Sequence, residues 1–155
     1  MTFELTEKEI KAFGKVAVMF GGLSAEREVS LASGKAVLDA LTSLDIDAHA
    51  FDPKYDDLAA LAEHSYDRVF IVLHGRGGED GCMQGALQLM NLPFTGSGPQ
   101  GSAMAMDKVR SKFLFKGAGI PTAPFEFVRR GDQFNVQALL IKLGGRVMVK
   151  PANEG

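Results

Sequence analysis

The chain has 155 residues, 46% hydrophobic and 23% charged, with a formal net charge of −2 at pH 7 and a single cysteine, Cys82. This composition is typical of a globular protein and carries no basic excess for nucleic-acid binding, while no apolar run approaches the roughly 20 residues that span a membrane. Because the polar N-terminus does not fit a signal peptide and one cysteine suits a reducing compartment, we expect a cytoplasmic protein.

The first third of the chain predicts a helix, a strand and a second helix. Thr6 and Glu9 have the spacing of a capping box and Gly14 ends the short first helix. Residues 15–20, "KVAVMF", predict a buried strand. Residues 26–44 predict an amphipathic helix with one buried stripe. The stripe consists of Val29, Ala32, Ala36, Val37, Ala40, Leu41 and Leu44.

The next elements continue the alternation of strand and helix. Residues 47–53 predict a strand and residues 55–64 a helix. Residues 69–73 are the most continuous apolar run, so we expect a central strand buried on both faces. A helix over 82–91 and a short edge strand over 92–98 follow. This order predicts parallel β-α-β units and therefore a Rossmann-like α/β fold without internal repeats.

The pattern of predicted elements changes after a glycine-rich stretch near residues 96–100. We therefore expect one domain over 1–97 and the beginning of a second over 98–155. In the second part, residues 105–119 and 133–145 predict helices, and the segment from Arg146 predicts a strand that runs into a glycine turn.

Two glycine-rich segments follow predicted strands, at the edge where parallel sheets bind ligands. The first is "FGGLSAE", in which Gly21 and Gly22 lead into the N-terminus of a helix that favours an anion. A plain tight turn explains two adjacent glycines equally well. The G-x-G-x-x-G fingerprint is missing, which disfavours a redox enzyme that uses a dinucleotide.

Charged residues at the same edge indicate a polar ligand. Glu26, at the start of the predicted helix, could hold a substrate ammonium, although acidic residues there often only complement the helix dipole. His74 directly follows a buried strand, which favours a role in binding or proton transfer. We expect Glu79 and Asp80 to orient the glycine-rich loop rather than to bind a metal.

Two lysines stand at positions that suit phosphate binding. Lys150 ends the apolar segment "RVMV", where a point charge can meet a phosphate, whereas Lys108 near the start of a predicted helix is by itself an ordinary solvated residue. No P-loop motif is present.

These segments together resemble the D-alanine–D-alanine ligases of the ATP-grasp superfamily. The matching stretches are "VAVMFGGLSAEREVSLASG", "VFIVLHGRGGEDGCMQGALQLMNLPFTGSG", "MDKVRSKFLFKGAGIPTAP" and "VMVKPANEG", which cover most of residues 15–155. Phe94 is a conservative departure at a position where the family often has tyrosine. The resemblance implies a pre-ATP-grasp N-terminal domain followed by the start of an ATP-grasp central domain.

The resemblance also implies a reaction and its residues. ATP phosphorylates the carboxylate of one D-alanine, and the amino group of a second attacks the acyl phosphate. Glu26 would bind the first ammonium and take part in catalysis, Ser30 would support this corner of the substrate site, and His74 would contact the carboxylate. Lys108 and Lys150 would bind ATP phosphates. The family's Mg²⁺ or Mn²⁺ ligands would lie beyond residue 155, and the family suggests a homodimer.

Two other functions remain open from the residues. A ligase that joins D-alanine to D-lactate or D-serine would share this first substrate site, because the second site lies outside the matching segments. A non-catalytic module that binds an amino acid is the alternative from another class, but it would not need Lys108 or Lys150. Since the family is about twice as long, we expect the 155-residue chain to be inactive alone.

Overall fold

The computed structural model describes residues 5–153, which fall into two compact units, the first ending at Ala103 and the second beginning at Met104. No helix in this range combines the length and the apolar character that a membrane crossing requires. The elements are α1 (Glu7–Phe13), β1 (Val16–Met19), α2 (Arg27–Ser43), β2 (Ala48–Phe51), α3 (Ala59–Glu63), β3 (Arg68–Ile71), α4 (Cys82–Leu89), α5 (Pro99–Met106), α6 (Lys108–Gly117) and α7 (Val136–Lys142).

The first unit is built on a parallel sheet, which confirms the predicted α/β class. The strand order is β2-β1-β3, with Val16 paired to Ala48 on one side and to Arg68 on the other. The prediction that residues 69–73 form the central strand is wrong, because β1 lies between both neighbours and is buried along its whole length. The longest apolar run lies on β3, which pairs with β1 on one side and makes only an isolated bridge at Val69 on the other.

Alternate residues of β1 enter two different hydrophobic clusters. Ala17 and Met19 pack with Leu61 of α3 and Leu87 of α4 on one face of the sheet. Val16 and Val18 face α1 and α2 on the other face. This alternation follows from the two-residue period of a strand and explains why β1 has no exposed side.

The apolar residues of α2 divide between two faces of the helix. Val37, Leu41 and Leu44 pack against the sheet, as predicted. The rest of the predicted stripe is exposed, and it consists of Val29, Ala32, Ala36 and Ala40. At 100° per residue the two sets point roughly 100° apart, so the single buried stripe was a wrong interpretation. The buried Gly34 lets α2 lie directly against Phe20.

The helix caps explain where several helices begin. Thr6 and Glu9 form the predicted capping box on α1, with Thr6 N 2.8 Å from Glu9 Oε2. The single helix predicted over 105–119 is two helices. Asp107 has an extended backbone between them, and its carboxylate accepts the amide protons of Val109 and Arg110 at the start of α6.

Two predicted strands are not regular strands in the described residues. The segment over 92–98 makes only an isolated parallel bridge, between Phe94 and Val69 of β3. The amide of Ile71, further along β3, donates to the side-chain hydroxyl of Thr95 instead of to a backbone carbonyl. Residues 146–150 have no regular secondary structure and pair with no strand, and Met148 and Val149 are exposed. A strand needs a partner for its backbone groups, and these segments have little or none.

Leucine truncations on α4 test the position of the core. Leu87 is fully buried whereas Leu89, two residues later, is 87% exposed. We expect Leu87→Ala to lower the free energy of unfolding by about 2–5 kcal/mol because it removes packed methyl groups and leaves a cavity. Leu89→Ala, the matched control, should change it by less than about 0.5 kcal/mol. Equal losses in urea unfolding would contradict this packing.

Candidate functional site

A cavity of about 190 Å³ lies at the carboxyl ends of β1 and β3. Its walls come from the segment after β1, the segment after β3 and two flanking residues, Pro53 and Met83. The lining residues are Gly21, Gly22, Leu23, Ser24, Pro53, Leu73, His74, Arg76, Gly77, Gly78 and Met83. Both glycine-rich segments singled out in the sequence therefore meet at one cavity, at the sheet edge expected for a ligand.

The turn after β1 is held by an ion pair between Arg27 and Asp52. We call Gly21 and Gly22, which have φ of 90° and 70°, the glycine turn. The Gly22 amide donates to Asp52 Oδ1 at 2.9 Å, and Arg27 Nη1 donates to the Gly22 carbonyl at 2.8 Å. Arg27 Nη2 lies 2.7 Å from Asp52 Oδ2. The ion pair thus satisfies both polar groups of Gly22.

The same ion pair explains why residue 21 has no side chain. A Cβ at Gly21 would lie 2.5 Å from Asp52 Oδ2 and 2.7 Å from Arg27 Nη1, in addition to the positive φ. Burial of the Asp52 carboxyl acts to raise its pKa, but the hydrogen bonds from Arg27 and from the Gly22 and Lys54 amides outweigh it and hold the pKa below the usual value.

Ser30 ties the glycine turn to helix α2 and to the end of β3. Its hydroxyl accepts the Gly21 amide proton at 2.8 Å and donates to the Val72 carbonyl at 2.6 Å. Ser30 is fully buried. From this buried position Ser30 holds the glycine turn against the end of β3. A direct contact of Ser30 with substrate stays a prediction.

Glu26 lies beside the segment that carries His74. A Cβ at Gly75 would stand 3.0 Å from Glu26 Oε1, so the absence of a side chain there makes room for this carboxylate. Glu26 is the N-cap residue of α2, yet its side chain makes no capping hydrogen bond. Ser24 joins the two segments, because its hydroxyl donates to the His74 carbonyl at 2.7 Å. The structure therefore brings Glu26 and His74 to the same place.

The His74 ring is half-buried and has a polar neighbour at each nitrogen. Ser33 Oγ lies 3.1 Å from Nε2, and Glu79 Oε1 lies 3.7 Å from Nδ1. Ser33 is on helix α2, whereas Glu79 is on the loop after β3. The ring is thus held between two separate parts of the first unit.

Residues 75–81, which we call the glycine loop, are shaped by carboxylates. Glu79 accepts the Gly75 amide proton at 2.9 Å, and Asp80 accepts that of Gly77 at 2.9 Å. Burial acts to raise the pKa of Asp80, but amide hydrogen bonds from Gly77 and Cys82 lower it below its usual value. The prediction that these two carboxylates orient the loop is confirmed. The buried Gln84 also donates to the Gly78 carbonyl, at 2.7 Å.

The two candidate phosphate-binding lysines are both in the second unit. Lys108 is the first residue of α6, and its amide donates to the Ala152 carbonyl at 2.9 Å. This bond places the start of α6 next to the segment that carries the exposed Lys150. The start of α6 and the segment of Lys150, which are distant in sequence, are therefore joined by a backbone hydrogen bond.

Comparison with known proteins identifies close relatives. Residues 51–97 match the protein-family model described as "D-ala D-ala ligase N-terminus". The chain is 60% identical over 146 residues to a D-alanine–D-alanine ligase of Idiomarina loihiensis and 57% identical over 149 residues to one of Pseudoalteromonas atlantica. These alignments cover 93% and 95% of this chain but 47% of each relative, so the chain spans about half their length.

Solved structures agree. The fold resembles the D-alanine–D-alanine ligase of Bacillus anthracis with a TM-score of 0.72 and 30% identity, covering 91% of this chain and 47% of that one. The same enzyme complexed with ATP gives a TM-score of 0.74 and 30% identity, covering 90% and 48%. This chain matches the N-terminal region of the D-alanine–D-alanine ligases.

Four residues that position the site were not predicted from the sequence. Asp52, Ser33, Ser24 and Gln84 all hold the glycine turn, His74 or the glycine loop in place. Two signals could have found some of them. Asp52 directly follows strand β2, and Ser33 lies one helical turn after Ser30.

Replacing Asp52 tests the ion pair. We expect Asp52→Asn to reduce the free energy of unfolding by about 1–3 kcal/mol, because the half-buried Arg27 loses its charged partner. Asp39→Asn, which breaks the exposed pair with Lys35, is the matched control and should cost less than about 0.5 kcal/mol. Chemical denaturation at pH 7 measures both. A loss no larger at residue 52 than at residue 39 would show that the ion pair does not hold the turn.

The pH dependence of the stability also tests the ion pair between Arg27 and Asp52. Because the pKa of Asp52 is lower in the folded chain than its ordinary value, the ionised carboxylate stabilises the fold at neutral pH. This contribution is lost as the pH falls below about 4 towards the folded pKa. The stability difference between wild type and Asp52→Asn should therefore narrow in acid.

Proposed function

We propose that this chain is the N-terminal half of an ATP-dependent D-alanine–D-alanine ligase. In this proposal the first D-alanine binds in the cavity at the strand ends, its carboxylate is phosphorylated by ATP, and the amino group of a second D-alanine attacks the acyl phosphate. The product is the dipeptide used as a peptidoglycan precursor. The observation that carries the proposal is the meeting of Glu26 and His74 beside this cavity in a chain 60% identical to a named ligase.

The charges beside the cavity support binding of a zwitterion. Glu26 offers a carboxylate for an ammonium group, because its side chain is not used to cap α2. His74 offers Nδ1 for a carboxylate, because Nε2 is in contact with Ser33 whereas Nδ1 faces the glycine loop. A cavity of about 190 Å³ that is lined by His74, with Glu26 outside the lining but next to Gly75, fits one amino acid of the size of alanine.

The lysines support binding of a nucleotide triphosphate. Lys108 and Lys150 lie on neighbouring segments and would contact ATP phosphates as point charges. ATP supplies the phosphoryl group that activates the carboxylate. The Bacillus anthracis structure complexed with ATP supports this part of the proposal.

The described residues do not supply a site for the Mg²⁺ or Mn²⁺ that phosphoryl transfer uses. No three His, Cys, Asp or Glu side chains come together within residues 5–153 in a way that could hold a metal ion. Asp80, on the glycine loop, already accepts the amide protons of Gly77 and Cys82. We therefore assign no step in this chain to a metal.

The proposal includes domain organisation and assembly. A substrate-binding domain over 1–97 and the start of an ATP-grasp central domain over 98–155 are proposed from the family pattern. We also propose a homodimer formed through the first unit in the cytoplasm. The exposed apolar face of α2, formed by Val29, Ala32, Ala36 and Ala40, supports such an interface.

The decisive test uses the complete protein that carries this chain. We expect ADP release with ATP, magnesium and D-alanine but none with L-alanine, with a dependence on D-alanine that requires two sites. A dipeptide product identified by mass spectrometry distinguishes this activity from ligation of D-lactate or D-serine. The absence of ADP release with every D-substrate would overturn the ligase proposal in favour of a binding module.

A pair of neighbouring glutamates on α2 provides the matched control. We expect Glu26→Gln to raise the KM for D-alanine about 10–100-fold, the range expected for loss of one charged hydrogen bond. Glu28 is exposed, so Glu28→Gln should leave the KM within about twofold. Equal effects at both positions would remove Glu26 from the substrate site.

The 155-residue chain by itself should not turn over ATP. Phosphoryl transfer depends on metal ions and on positioned charges, and the described residues bring together no metal site. A coupled ADP assay on the purified, mass-verified chain measures this. ATP turnover by the isolated chain, stimulated by D-alanine, would disprove the expectation.

A further inference from the structure

Two serine hydroxyl groups position His74, one at its backbone and one at its ring. The Ser24 hydroxyl donates to the His74 carbonyl at 2.7 Å, which holds the backbone. Ser33 Oγ lies 3.1 Å from Nε2, which holds the ring. Neither serine appears among the residues proposed above to touch substrate. The contact between Ser33 and the ring is the one that bears on the chemistry of the imidazole.

The position of the single hydroxyl hydrogen of Ser33 decides the direction of this contact. Ser33 Oγ lies 2.8 Å from the Val29 carbonyl, one turn earlier on α2, and 3.4 Å from the Ser30 carbonyl. A carbonyl oxygen can only accept, and the 2.8 Å contact is the shortest that Ser33 makes. The Ser33 hydroxyl therefore donates its hydrogen bond to the Val29 carbonyl, and Oγ accepts a hydrogen bond from Nε2–H of His74.

The group on the other side of the ring is too far away to reverse this assignment. Glu79 Oε1 is 3.7 Å from Nδ1, which is beyond hydrogen-bond distance. Its other oxygen accepts the Gly75 amide proton, and its side chain is 44% exposed and screened by water. Glu79 attracts a charge at Nδ1, but it does not supply a competing hydrogen bond.

We propose that Ser33 is a positioning residue that keeps the proton of neutral His74 on Nε2. Nδ1 is then the atom at which the ring gains or loses a proton, on the side that faces Glu79 and the glycine loop. The importance of this for ligation rests on the proposed function, since it makes Nδ1 the ring atom that would change charge when a substrate carboxylate arrives. The place of the proton rests only on the contacts of Ser33.

Nitrogen NMR of the histidine rings reads the tautomer directly. We would record long-range ¹H–¹⁵N spectra of the complete protein with ¹⁵N-labelled histidine at about pH 9, where ordinary histidines are neutral. His49 is the internal reference, because its Nε2 lies 2.7 Å from the Asp47 carboxylate, which can only accept. The variant His74→Gln identifies the signals of His74 by their loss.

The spectra should show His74 with the Nε2–H pattern of His49. In Ser33→Ala we expect the ratio of Nε2–H to Nδ1–H forms to fall by about fivefold, the value of one typical hydrogen bond. Ser33→Thr should restore the ratio, because threonine in a helix keeps a hydroxyl that bonds to the carbonyl one turn earlier. A proton on Nδ1 in the wild type, or an unchanged ratio in Ser33→Ala, would overturn the proposal.

The two proposals fail in different ways. A wild-type Nε2–H pattern without ligation of D-alanine would refute the ligase function alone. Ligation with the proton on Nδ1 would refute the role of Ser33 alone. If Ser33→Ala unfolds, which circular dichroism reports, Ser33→Thr and the wild-type spectrum still decide the place of the proton.

Discussion

The ion pair between Arg27 and Asp52 is the constraint on which the strand ends depend. It binds the amide and the carbonyl of one residue, Gly22, and so fixes a turn whose backbone angles only glycine adopts easily. Because Arg27 is the first residue of α2, the same contact also sets where that helix begins relative to the sheet. Glu26 directly precedes Arg27, so the ion pair also fixes the backbone position of Glu26.

The polar groups around the cavity mostly satisfy one another. Ser30 joins the turn to the end of β3, Asp80 accepts amides of the glycine loop, and Ser24 holds the His74 carbonyl. Such networks rigidify a site, since each broken bond would leave a buried group unpaired. The Glu26 carboxylate makes no capping hydrogen bond on α2 and lies beside Gly75, which leaves room for it.

Local signals in the sequence predicted much of this molecule. The capping box on α1, the alternation of strand and helix, and the placement of Glu26 and His74 at strand ends depend on neighbours close in sequence or on a general rule for parallel sheets. The order of strands was beyond such reasoning, because a buried apolar run has the same pattern in the middle and at the edge of a sheet. The pairing of Asp52 with Arg27 was also beyond it, because the two residues lie 25 positions apart. The regular strand expected after Arg146 needs a neighbour that no local pattern supplies.

The span of these contacts has a consequence for the order in which the chain is made. Arg27 and Ser30 leave the ribosome 25 and 42 residues before their partners Asp52 and Val72. The glycine turn therefore cannot reach its final shape on the nascent chain until β3 has emerged, and each partner must be found by closing a long loop. Until then the apolar β1 lacks at least one of its two neighbouring strands, which makes this interval the one in which the first unit is most exposed to misassembly.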